Sequence, residues 1–118
     1  MADQSVQAQT APNADELIRH GLEMRRRGDD PGALAEFRLA YDAGHSPRAA
    51  AQMGWAEQAL GRWLDADGHV REALSATTDP WIIGRRVLLD ASMAVINQHV
   101  GDLEILGGVA GALVHVDG

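Results

Sequence analysis

The side chains best placed by type to do acid–base, metal or nucleophilic chemistry are five histidines, His20, His45, His69, His99 and His115, and the serines Ser46, Ser75 and Ser92. A metal site or a two-histidine base needs convergent groups, most simply an i, i+4 pair on one helix face as in HExxH, and no two of these histidines have that spacing. None of the serines lies in a GxSxG turn, and neither a Walker glycine loop nor GxGxxG is present. The GGVAG stretch at 107–111 is followed by neither a lysine nor a helix start, so it reads as a loop between elements. Cysteine is absent, which excludes disulfides, zinc–thiolate sites, iron–sulfur clusters and thiol nucleophiles. The expectation is a protein that is not an enzyme, with no cofactor and no metal.

The one dense charge run is Arg25-Arg26-Arg27. Arginines at a helix C-terminus complement the macrodipole and are solvated; the same guanidiniums, aimed into a groove, would bind a carboxylate in bidentate fashion. The whole chain is acidic, with a net charge of −7, which argues against nucleic acid or an anionic membrane as partner. All ten basic residues are arginine. Beside so much alanine and glycine, that reads as the codon bias of a GC-rich genome.

These residues need elements to position them, and 118 residues make one domain. No apolar run approaches the roughly 20 residues that would span a membrane. The opening MADQSVQAQTAPN has neither the basic start nor the apolar stretch of a signal peptide, and residues 1–12 read as a disordered tail. The chain as it stands is thus expected in the cytoplasm, or in the periplasm or cell envelope if an export signal precedes it.

Landmarks recur at an offset of 33: Gly21 and Gly54, Gly28 and Gly61, Ala33 and Ala66, Phe37 and Val70, Ala40 and Ala73, Pro47 and Pro80. A period of this size is the mark of stacked supersecondary units. Each unit reads as two helices. The first opens at Asn13, with Glu16 completing a capping box, and carries Ala14, Leu17, Ile18, Gly21 and Met24 as one stripe ending near Gly28. Asp30 and Pro31 start the second, whose apolar face is Ala33, Leu34, Phe37, Ala40 and Tyr41, and Gly44 stops it. Ser46-Pro47 opens the next unit and Asp79-Pro80 a third, longer helix with Ile82, Arg86, Leu89, Met93 and Ile96 on one side. Gly21 against Ala33 and Gly54 against Ala66 are expected to be the close crossings within the hairpins, with Phe37 and Val70 filling the gap between hairpins.

The residues Gly21, Gly28, Ala33, Phe37 and Ala40, then Gly54, Gly61, Ala66 and Ala73, resemble the tetratricopeptide repeat, a helix–turn–helix unit of about 34 residues. His20 replaces the usual leucine, Glu57 stands at an aromatic position, and the prolines fall two residues late. The resemblance implies a mainly α protein over 13–100, with antiparallel hairpins stacked as a short solenoid of about five helices. It also implies that the first helix of each hairpin lines a concave face, whose groove positions here would be Ile18, Leu22, Arg25, Arg26, Trp55, Gln58 and Leu88. That set suits an extended or helical peptide carrying a carboxylate. Ile18 and Leu22 occupy the places of the lysine/asparagine clamp of chaperone-binding members. Trp63 reads as core, while Trp55 and Trp81 divide between core packing and groove.

After Val100 the pattern turns β-prone: Asp102–Leu106 and Ala112–Val116 read as two strands of a hairpin, and Asp117-Gly118 as a further turn. Gly111, Ala112, Val114, Val116, Asp117 and Gly118 resemble the start of a PEGA domain, a small β-sandwich, which would make 101–118 an incomplete β-domain. Two functions follow as expectations. One is an adaptor that presents a helical groove to a protein or peptide. The other is a bacterial cell-envelope protein in which the helices are a spacer for the β-domain. Self-association through the apolar third helix is a further expectation, and the oligomeric state stays open.

Overall fold

The computed structural model describes residues 12–109, with side chains as far as Asp102. Among the described residues the chain is mainly helical and forms six helices: α1 Ala14–Arg26, α2 Asp30–Gly44, α3 Pro47–Ala59, α4 Trp63–Leu74, α5 Pro80–Gly84 and α6 Arg86–Val109. α1, α3 and α5 start 33 residues apart, and each start is built the same way. Asn13, Ser46 and Asp79 accept backbone N–H bonds with their side chains, which satisfies amides that a helix start leaves without partners. Asn13 and Glu16 form the expected capping box.

The turns repeat as well. Gly28 and Gly61 take positive φ, +87° and +74°, which a residue with a Cβ adopts only with strain. In both turns the glycine N–H bonds to Arg25 or Gln58 O, and the next N–H, of Asp29 or Arg62, reaches back to Met24 or Glu57 O. This is the Schellman arrangement, which closes the last open carbonyls of α1 and α3 and sends the chain back along the same helix. Two details differ from the sequence reading. Asp29, not Asp30, caps α2, its carboxylate accepting from Gly32 N. The left-handed residue after α2 is His45 (φ 52°), not Gly44, and its ring stacks on Tyr41 at 4.2 Å.

Packing follows the small residues, with one addition. A Cβ on Gly21 would stand 2.7 Å from Cδ1 of Phe37, and one on Gly54 would stand 2.5 Å from Cγ2 of Val70. Phe37 and Val70 therefore lie directly on the glycines inside their own hairpins, and each also shares a core with the next unit, Phe37 with Ala49, Met53 and Ala56, Val70 with Ile82, Leu89, Met93 and Ile96. Ala33, Ala40, Ala66 and Ala73 are buried as expected. Two connected cores result, one around Ile18, Leu34, Phe37 and Met53, the other around Val70, Ile82, Leu89, Met93 and Ile96.

The third unit departs from the first two. The single helix expected after Pro80 is broken at Arg85, where φ −119° and ψ 12° separate α5 from α6. Arg86 is exposed and leaves the stripe, while Ile82, Leu89, Met93 and Ile96 keep it. The strand expected at Asp102–Leu106 is helical, because α6 runs through Val100 and Gly101 without interruption to Val109. A single glycine inside a helix costs only about 1 kcal/mol, which does not stop one already anchored by Leu89, Met93 and Ile96. The described residues contain no strand. The expected second strand, most of the proposed β-domain and the tail at 1–11 lie outside the described residues. Among the described residues no helix is long and apolar enough to cross a membrane.

Candidate functional site

Positions 33 apart on the first helix of each unit fall into rows. Leu22, Trp55 and Leu88 form one; Arg25, Gln58 and Ala91 form the next; Arg26, Ala59 and Ser92 form a third. In the folded chain these rows meet α6 in two adjoining hollows. One of about 420 Å³ is lined by Trp55, Gln58, Leu88, Ala91, Ser92 and Val95. The other, of about 330 Å³, is lined by Arg25, Trp55, Gln58, Ala59 and Trp63. Trp55 and Gln58 belong to both, so the two hollows form one groove with an aromatic floor at its centre.

Four of the seven expected groove residues therefore come together: Arg25, Trp55, Gln58 and Leu88. Ile18 does not; it is 1% exposed and packs into the first core, so it contributes no groove surface. Leu22 is on the surface but lines neither hollow. Arg26 turns away to pair with Glu23, and Arg27 joins it; the hydrogen bond from Arg26 holds the Glu23 carboxyl below its ordinary range. Of the triple, Arg25 alone faces the groove, with its Nε 3.6 Å from Asp30 Oδ1.

Trp55 both packs and lines. Its indole N–H donates to Ser92 Oγ at 2.9 Å, and its ring lies 6.1 Å from that of Trp81, so it is fixed against α6 with one face open. Trp81 is held in turn between packing and charge, with the Arg85 guanidinium 4.1 Å and the Arg48 guanidinium 5.6 Å from the ring centre. Trp63, expected in the core, is only partly buried and stacks parallel to His99 at 3.7 Å across α4 and α6, forming the far wall of the groove. Ala59, Ala91, Ser92 and Val95 were not anticipated as lining residues. Ala59, Ala91 and Ser92 were within reach, since extending the rows of Arg25 and Arg26 by further periods arrives at them.

One charged side chain is fully inside the hairpin formed by α3 and α4. Glu57 is 1% exposed, with Oε1 2.7 Å from Nδ1 of His69. Burial pushes its carboxyl above the ordinary range, and the bond from His69 opposes that shift. Tyr41 stands edge-on to His69 at 5.4 Å, and its hydroxyl donates to Glu72 at 2.8 Å, which raises the phenol's pKa. This cluster ties α2 to α4 and faces the hairpin interior. Among the described residues no three histidine, aspartate or glutamate side chains are grouped so as to share a metal ion.

No protein-family model, no curated protein and no solved structure matches this chain.

Proposed function

We propose that this chain is a non-enzymatic adaptor, a short helical solenoid of the tetratricopeptide kind, that holds a peptide segment of another protein in the groove over Trp55. The observation that carries this reading is the joining of the two hollows at Trp55 and Gln58. An apolar floor from Trp55, Leu88, Ala91 and Val95 runs to a guanidinium at Arg25 and an amide at Gln58. A groove of this kind takes an apolar side chain at its centre and a carboxylate at one end, with the amide free to bond the peptide backbone. The floor is preformed, because Ser92 fixes the Trp55 ring, so little ordering entropy is lost on binding.

The test is selection of a displayed random-peptide library on the full chain, followed by measurement of the enriched peptides on Arg25→Glu and Leu88→Glu. Both side chains are at the surface, so both variants should keep the helicity and melting temperature of the parent. The expected outcome is enrichment of peptides with an acidic residue beside an apolar one, bound at least about tenfold more weakly by each variant, the effect of losing one buried contact. Failure to enrich any peptide, or equal binding to parent and both variants, would overturn the reading.

A further inference from the structure

The face of the third unit that corresponds to the hairpin contact of the first two has no helix on it among the described residues. Ala50 and Gly54 of α3 are buried beneath α4. The residues 33 further on, Ile83 and Val87, are 55% and 83% exposed. Two changes in sequence account for this. Val87 replaces the packing glycine of Gly21 and Gly54, and Ala94 replaces the turn glycine of Gly28 and Gly61, so α6 continues where α1 and α3 turn back. The result is a surface shaped to receive a helix, at a wider separation than α2 or α4 keeps from its partner.

We propose that this face pairs with the same face of a second copy of the chain, α6 antiparallel to α6 about a two-fold axis at the level of Leu89. Leu89, Met93 and Ile96 point into the protein's own core, which sets Val87, Ala91 and Ala94 on the opposite, exposed side. In the antiparallel arrangement Val87 of each copy meets the level of Ala91 of the other, a bulky residue over a small one, as ridges-into-grooves packing requires. The flank of this stripe carries Arg86 and Asp90, both exposed and neither in an ion pair among the described residues. A two-fold axis brings Arg86 of one copy to within about 3 Å along the helix of the level of Asp90 of the other, and the converse pair with it. Charge self-complementarity favours a second copy over an unrelated helix, which would have to supply an acid and a base at this same spacing. The inference does not rest on the groove reading: Leu88, Ser92 and Val95 face the groove on the adjacent side of α6, and Ala91 alone stands at the edge shared by groove and pairing face.

The experiment is sedimentation of the full chain over a wide concentration range, for the parent, Val87→Asp, Arg86→Asp, Asp90→Arg and the double exchange Arg86→Asp/Asp90→Arg. All three positions are exposed, so circular dichroism should show unchanged helicity at low concentration. A concentration-dependent dimer is expected for the parent. Val87→Asp should abolish it, and each single charge reversal should raise the dissociation constant about tenfold or more by turning two attractive pairs into repulsive ones. The double exchange should restore the parent's value, which a merely structural role for either side chain would not produce. A monomer at every concentration would overturn the proposal; so would a dimer that ignores Val87→Asp, or a double exchange no better than the single reversals.

Discussion

Replacing Gly54 by alanine puts one methyl group into the tightest crossing of the protein, and the outcome separates two opposed effects. In an unencumbered helix the change stabilises by about 1 kcal/mol, because glycine is the poorer helix former. Here the new Cβ would lie 2.5 Å from Val70 Cγ2 and 3.2 Å from the Val70 backbone N, with Ala66 O at 3.6 Å. Valine in a helix has essentially one χ1 rotamer, so Cγ2 cannot swing aside and the two helices must separate. Overpacking of this sort costs about 1–3 kcal/mol, and with no soft neighbour the upper half of that range applies. The net loss is about 1–2 kcal/mol, a fall of about 5–10 °C in melting temperature for a domain of this size. Gly68 is the internal control. It sits mid-helix in α4 with nothing within 4 Å of its would-be Cβ, so Gly68→Ala should raise stability by about 0.5–1 kcal/mol. Urea and thermal unfolding of the two variants, with Val70→Ala and the Gly54→Ala/Val70→Ala double, complete a cycle in which the double should lose less than the sum by about 1 kcal/mol. Should Gly54→Ala stabilise as Gly68→Ala does, the close approach of α3 and α4 is wrong, and with it the account of why the period exists.

The buried pair gives a pH signature. Glu57's folded pKa lies above its ordinary value of 4.5, so the native state holds its proton longer than the unfolded chain, and this contribution to stability falls as pH rises through that window. The groups facing it are His69 and Asp65 from α4 and Arg38 from α2. In urea melts from pH 4 to 7, the stability of the parent minus that of Glu57→Gln should decline with pH; a difference that is flat or rises refutes the assignment. Gly61→Ala should cost about 1 kcal/mol through φ +74° alone, read as a lower midpoint at unchanged denaturant slope. A loss confined to the slope would mean that the turn is not held in that conformation.

The repeat was legible because its landmarks are positions where geometry allows little choice. A helix crossing admits only glycine at 21 and 54, and a left-handed turn favours glycine at 28 and 61. What packs on each glycine was not legible. Phe37 and Val70 are apolar whichever neighbour they meet, and composition does not distinguish a contact within a hairpin from one between hairpins. The same ambiguity placed Ile18 in the groove when it belongs to the first core. Trp55 could not be assigned from its type because it serves both ends, with indole N–H on Ser92 and ring face in the groove. The alternation in Asp102–Leu106 is weak evidence against a helix that has already been nucleated 16 residues earlier. The break at Arg85 left no signal that periodicity could detect, since the apolar spacing continues across it.

The valine at 87 and the alanine at 94 set the third unit apart from the first two by two side chains. In many arrays the number of modules is closed off by a dedicated lid; here the third module lacks the kink of the first two and carries a branched side chain where they have glycine. The difference is editable: restoring glycine at both sites, with a compatible helix downstream, should let the third module fold back as the first two do, and the same two edits would remove the valine from the face proposed to meet a second copy.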